Sequence, residues 1–156
     1  MKTKASKIVI SRCDVDTVRD LATELLAEHW EEVAKYKHLM VLKPDWHRYY
    51  EIEEKGMLMA LSVEIEGHGM IGYSASFIGP HIHYSDLMVA TNDVLFLHKD
   101  WRKGGVGPRL ILATEAEARE RGAKLMLWHA KPDTALDSIM PRMGYDVIDT
   151  IHSKEL

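Results

Sequence analysis

Leu95-Phe96-Leu97-His98-Lys99-Asp100-Trp101-Arg102-Lys103-Gly104-Gly105-Val106-Gly107 is the stretch whose reading decides the fold. It opens in Val94-Leu95-Phe96-Leu97, an unbroken apolar run that suits a central strand buried on both faces. It closes in a glycine turn, beyond which Pro108 to Arg121 reads as a helix stopped by Gly122. The first backbone N–H groups of a helix have no partner within it, and with the helix dipole they make a site for an anion. Glycines at 104, 105 and 107 let the backbone curl and approach a phosphate with no Cβ in the way. Arg102 adds a charged donor, and Lys103 lies beside it. A Walker-type loop needs Lys-Ser/Thr after its last glycine, where Pro108-Arg109 stands. A dinucleotide fingerprint needs a third glycine three residues after Gly107, where Leu110 stands. By itself the turn is equally a tight strand-to-helix connection with no ligand.

Working outward, Leu125-Met126-Leu127-Trp128 reads as the next buried strand. A strand–helix–strand crossover of this kind sets its two strands parallel. A short helix within Thr134 to Met143, then Gly144 and a final strand from Tyr145 to Ile151, complete the chain. Upstream, Met57 to Glu66 and Met70 to Ile78 form a hairpin about Gly67-His68-Gly69, and Gly79-Pro80 breaks the second strand. Met88 to His98 is the strand that feeds the turn. Ile8-Val9-Ile10 is a short strand. Asp14 caps a helix running to about Lys35, with Val15, Val18, Ala22, Leu25, Leu26 and His29 on its apolar face. Pro44-Asp45 starts a second helix that ends before Gly56. The order is β-α-α-β-β-β-α-β-α-β, an α/β architecture with helices covering a mixed sheet.

The 156 residues carry no repeat and no Pro/Gly/Ser-rich linker, so residues 1–156 read as a single domain. With 46% apolar and 28% charged residues the chain can bury a core. A net charge of −4 gives no general attraction to nucleic acid. Cys13 is the only cysteine, which excludes an internal disulfide and a cysteine-rich zinc module and fits a reducing, cytoplasmic setting. Met1 to Lys7 is basic but is followed by no apolar signal core, and no run is long enough to span a bilayer, so no membrane partner is expected. A homodimer is compatible with this sequence.

The stretch from Leu95 to Gly107 resembles the signature of the GNAT N-acetyltransferase superfamily, an apolar strand, a short bend, then Arg/Gln-x-x-Gly-x-Gly/Ala opening a helix. Arg102, Gly105 and Gly107 occupy the motif positions, and Met143-Gly144-Tyr145 resembles the family's later Leu-Gly-Phe. Pro-His-Ile-His-Tyr at 80–84 followed by Asn92-Asp93 is also similar to a bacteriophage-encoded subgroup. The resemblance implies a mostly antiparallel sheet with a central splayed parallel strand pair and helices on both faces. It implies acetyl-CoA as cofactor, with pantetheine along Leu95, Phe96 and Leu97 and the pyrophosphate on Arg102, Lys103, Gly104, Gly105, Val106 and Gly107. Pro108 stands where the family commonly offers another N–H, so one phosphate contact is expected to be lost. The acceptor would be an amine of a small molecule or a protein.

An amine must be neutral to attack a thioester, so a base is useful. Asp93, at the head of the buried strand where several family members carry a carboxylate, is the candidate, with partial burial expected to raise its basicity. Thr91-Asn92-Asp93 is equally good turn chemistry. On the resemblance, a backbone N–H near Leu97 polarises the thioester carbonyl. The family's usual acid, a tyrosine four residues before Gly144, is replaced by Met140, so protonation falls to water, Tyr145 or a histidine such as His83. His81-Ile82-His83 puts two rings on one side of an extended segment, with His129 as a potential neighbour, but no recognised metal-ligand spacing is present and no metal is assigned. Trp30, Tyr36, His38, Trp46, His47, Tyr49 and Tyr50 gather around the first two helices, a region that on the resemblance walls the acceptor site, although Trp46 and Tyr49 recur at helical spacing and read as core. The methionines read as gap-filling core, and Glu115 to Arg121 as a solvated helix face. Two functions compete: an acetyl-CoA-dependent N-acyltransferase, and a non-catalytic CoA-binding or virion/host-interaction protein on the same fold.

Overall fold

The computed structural model describes residues 7–156; the basic stretch from Met1 lies, except for Lys7, outside them. Five strands pair in chain order: β1 (Ile8–Cys13), β2 (Leu58–Ile65), β3 (Gly69–Pro80), β4 (Met88–Leu97) and β5 (Leu125–Leu127). β1 to β4 are antiparallel neighbours, and β5 joins β4 in parallel through the helix α4 (Val106–Glu120). On the other face lie α1 (Val15–Leu21), α2 (Thr23–Val33) and α3 (Trp46–Glu54). A short α5 (Ala135–Ile139) follows β5. Among the described residues no helix is long and apolar enough to cross a membrane.

Strand alternation divides the core into two layers. Met59, Leu61, Val63 and Ile65 of β2 pack under α4 with Leu110 and Ala118, while Leu58 and Ala60 face α1 to α3. β4 changes phase along its length. Met88 and Ala90 pack on the α4 side, yet Val94 and Phe96 pack on the opposite side. The cause is a β-bulge: Ala75 pairs with Val94 and Ser76 with Asn92, leaving Asp93 as the extra residue. The same bulge turns β4 away from β5, whose ladder stops at Thr91–Leu127.

Gly72 lets β3 and β4 approach closely just before the turn. A Cβ there would lie 2.7 Å from the Phe96 carbonyl oxygen and 3.2 Å from the Leu97 Cα. Backbone cannot yield as a side chain does, so Gly72→Ala is expected to lower stability by about 1–3 kcal/mol, read as a lower urea midpoint.

Several expectations need correction. The helix from Asp14 is two helices, broken at Ala22, which is wholly buried against the sheet and has left helical geometry (φ −103°, ψ 8°). β3 runs through Gly79 to Pro80, since a strand end tolerates a residue with no N–H to donate. α4 begins at Val106, so Pro108 is its third residue. β5 is not a buried central strand: it is three residues long, and Leu125 is exposed at the sheet's outer edge. The strand from Tyr145 to Ile151 is absent. So short a β5 offers little ladder, and Val147, Ile148 and Ile151 remain exposed. Nor is Glu115 to Arg121 simply solvated. Glu117 is buried and ion-paired with Arg12 and Arg121, and Glu115 accepts hydrogen bonds from Trp128 and Tyr145.

Candidate active site

The turn is built as its glycines suggest. Gly104 (φ 76°) and Gly105 (φ 78°) both take the left-handed conformation that side chains disfavour, and Gly105 caps α4. Val106 and Gly107 then present first-turn N–H groups, whereas Pro108 has none. Gly107 has an ordinary φ, and a Cβ there would meet nothing within 4 Å. Its glycine is therefore not required by the protein's own packing.

The divergence of β4 from β5 opens a cavity of about 380 Å³. All of Asp93 to Leu97 lines it, as do Arg102, Gly107 and Pro108 at one end and α5 opposite. Nε of Arg102 donates to the Leu97 carbonyl oxygen at 2.8 Å, which puts that carbonyl on the cavity side of β4. The next amide, of His98, donates the other way, to Ile71 on β3. Backbone groups alternate sides along a strand, so the N–H of Leu97 and both polar groups of Leu95 also face the cavity. This free strand edge suits an extended, amide-bearing arm. Lys103, Gly104 and Gly105 are exposed beyond the cavity lining, and Val106 is buried beneath the helix.

The closed end of the wedge, one step past the last ladder pair, is held by Asn92. This buried side chain accepts from the His129 amide and donates to the His129 carbonyl, replacing a ladder pair where the backbone ladder has ended. Arg102 is less free than a phosphate donor would be. Glu32 takes two of its N–H groups at 2.8 and 2.6 Å, so three of the five guanidinium donors are used. It clamps the end of α2 to the end of β4.

A second cavity, of about 320 Å³, lies between the α1–α3 layer and the sheet. It shares His29, Val33, Val94 and Lys131 with the first. At their junction the Tyr49 hydroxyl, from a residue lining the second cavity, donates to Asp93, which lines the first. Asp93 is exposed, not half-buried as expected, because the bulge turns it out of the sheet. Burial and the bond to Asp93 push the Tyr49 hydroxyl well above the usual tyrosine range, so it stays protonated as a donor.

Helical spacing alone places His29 on an apolar helix face and reads Tyr49 as core. Their period-3.6 positions say which side of a helix they occupy but not that a cavity lies there. The His29 ring stacks on Phe96 at 4.9 Å, and Nδ1 lies 3.0 Å from the Tyr73 hydroxyl. Burial lowers His29 from 6.5 to about 4, so it is neutral at pH 7. Between those values the unfolded chain binds a proton that the native one refuses. The native state is therefore favoured fully above pH 6.5 and loses stability as pH falls towards 4. The urea midpoint should drop between pH 7 and 4.5, and His29→Gln should remove part of that drop.

Other candidates stand apart. The Tyr145 hydroxyl donates to Glu115 and lines neither cavity. His83 is exposed on the loop between β3 and β4, its ring 6.0 Å from that of His81, and also lines neither. The acid assignment to these two residues has no geometric support, because each points to a different neighbourhood. Met140 is buried, while its neighbours Ile139 and Arg142 line the first cavity.

Comparison with known proteins agrees with this geometry. The description "Acetyltransferase (GNAT) family" matches residues 17–145. Ribosomal-protein-alanine N-acetyltransferase from Brucella melitensis biovar Abortus 2308 superposes with a TM-score of 0.70 at 16% identity, covering 96% of this chain and 99% of that one. Aminoglycoside N-acetyltransferase AAC(6')-Iy in complex with CoA gives 0.70 at 16%, covering 100% and 99%. Glucosamine-6-phosphate N-acetyltransferase from Arabidopsis thaliana gives 0.70 at 12%, covering 96% and 98%. No curated protein sequence matches significantly. The matched family description does not single out a bacteriophage subgroup. The splayed strand edge, the two left-handed glycines and the open space over Gly107 fit the family's cofactor, acetyl-CoA. From a family match over most of its length and this fold, the chain belongs to the acetyltransferase (GNAT) family.

Proposed function

We propose that this chain is one N-acetyltransferase domain that moves an acetyl group from acetyl-CoA to a primary amine, with Asp93 as base. The observation that carries this reading is the junction of the two cavities, where the Asp93–Tyr49 pair meets the exposed edge of β4. Acetyl-CoA supplies an activated acyl carbon. The N–H groups of Val106 and Gly107 receive the pyrophosphate, with Lys103 as a nearby exposed cation. The Leu95 and Leu97 amides pair with the pantetheine arm, and an N–H of this edge polarises the thioester carbonyl. Asp93 takes a proton from the acceptor ammonium, and Tyr49 holds that carboxylate in place. The neutral nitrogen then bonds the acyl carbon as the carbon–sulfur bond breaks. The proton lost from nitrogen leaves to water, and sulfur gains one from water.

A second reading has its own support: with Met140 buried and Tyr145 engaged by Glu115, neither supplies an acid to the cavity. The chain would then bind CoA without turnover. Thiol release from acetyl-CoA, followed across a panel of primary amines, decides between them. Amine-dependent release supports the transferase, and tight CoA binding with no release for any amine supports the binding protein.

A further inference from the structure

We infer that the acceptor is a small primary amine on an apolar body about the size of one aromatic ring, with no second positive charge. This rests on the transferase reading and is argued from the second cavity. Its walls are mostly apolar, with the rings of Trp30, Trp46 and Tyr49 and the side chains of Leu26, Met40 and Leu42. Among the described residues no carboxylate lines it. Its charged side chains are Lys43 and Lys131, and its histidine, His29, is neutral at pH 7. A polycation entering here would place its spare ammonium groups against like charge and apolar surface, with nothing to replace their water. The Trp30 face, which could otherwise hold a cation, already carries the Lys37 ammonium at 5.1 Å from the ring centroid. Of the two carboxylates that line the adjoining cavity, Glu32 is engaged by Arg102, which leaves Asp93 at the junction for the single amine that reacts.

Size and setting agree. A volume of about 320 Å³ is small for a ligand pocket. Beside it the chain exposes four consecutive large apolar residues, Leu39, Met40, Val41 and Leu42, at 58%, 48%, 70% and 40% of their surface. A run like this is costly in water unless it meets something apolar. Two of its members, Met40 and Leu42, also line the cavity, so an apolar acceptor would cover surface that is otherwise wet.

The test measures binding and turnover separately, in the presence of CoA or acetyl-CoA. Calorimetry with phenethylamine and tryptamine should show saturable binding, at least tenfold tighter than spermidine or kanamycin. Acetylation of the two arylalkylamines should exceed that of either polycation by at least 100-fold in kcat/KM. Trp46→Ala should weaken phenethylamine binding at least tenfold while CoA affinity holds. Leu42→Asp, at an exposed position that leaves folding intact, should weaken it at least fivefold. Preference for a polycation, or for the α-amine of a polar peptide, would overturn the inference, as would arylalkylamine binding that ignores both substitutions. Saturable arylalkylamine binding without acetylation would support the pocket's assignment and overturn the transferase reading. Acetylation of polycations alone would do the reverse.

Discussion

Gly107→Trp is expected to abolish CoA binding while leaving the fold as stable as before. Gly107 has an ordinary backbone conformation, and a Cβ there meets nothing within 4 Å, so the protein itself does not require glycine. Replacing glycine within a helix even removes its propensity penalty of about 1 kcal/mol. What the side chain would fill is the cavity end beside the first turn of α4, where the phosphates are placed. Calorimetry should show at least a 100-fold loss of affinity, with thermal unfolding unchanged. Gly104 and Gly105 are poorer probes, since both lie at positive φ and any substitution strains the backbone. CoA affinity that survives Gly107→Trp would mean that the turn is only a connection.

The second large effect is expected at Asp93. Asp93→Asn keeps the shape and removes the base, so kcat should fall by about 10²–10⁴-fold, the usual range for losing general base catalysis. Asp93 is exposed, so stability should change by about 0.5 kcal/mol at most. CoA affinity should hold, because the N–H groups proposed to hold the cofactor belong to Leu95, Leu97, Val106 and Gly107 and not to the Asp93 side chain. Tyr49→Phe removes one hydrogen bond to that carboxylate and should cost about tenfold in kcat. A variant pair with equal losses would instead indicate a structural contact, with neither residue handling the proton.

Much of this was legible in the sequence because the signals were local. The apolar run through Leu97 and the three glycines specify a strand, a turn and a helix start within thirteen residues. The hairpin glycines and the Asp14 and Asp45 caps likewise act on their own neighbours. The failures were those of distant partners. Whether Tyr145 to Ile151 forms a strand depends on the length of β5, which residues 145–151 do not encode. The burial of Glu117 depends on Arg12, more than a hundred residues away. Arg102 reads as a phosphate donor until Glu32 is placed beside it. The bulge at Asp93 is the most consequential case. It depends on the register between β3 and β4, and it turns the carboxylate out and reverses the facing of β4 just where the ladder to β5 ends.

The most direct test is a crystal structure with CoA bound. The pyrophosphate should lie on the N–H groups of Val106 and Gly107, and the pantetheine arm should pair with Leu95 and Leu97 between β4 and the chain leaving β5. The sulfur should end near Asp93, at the junction with the apolar cavity. CoA seated elsewhere, or a wedge that stays empty at saturating ligand, would contradict the account.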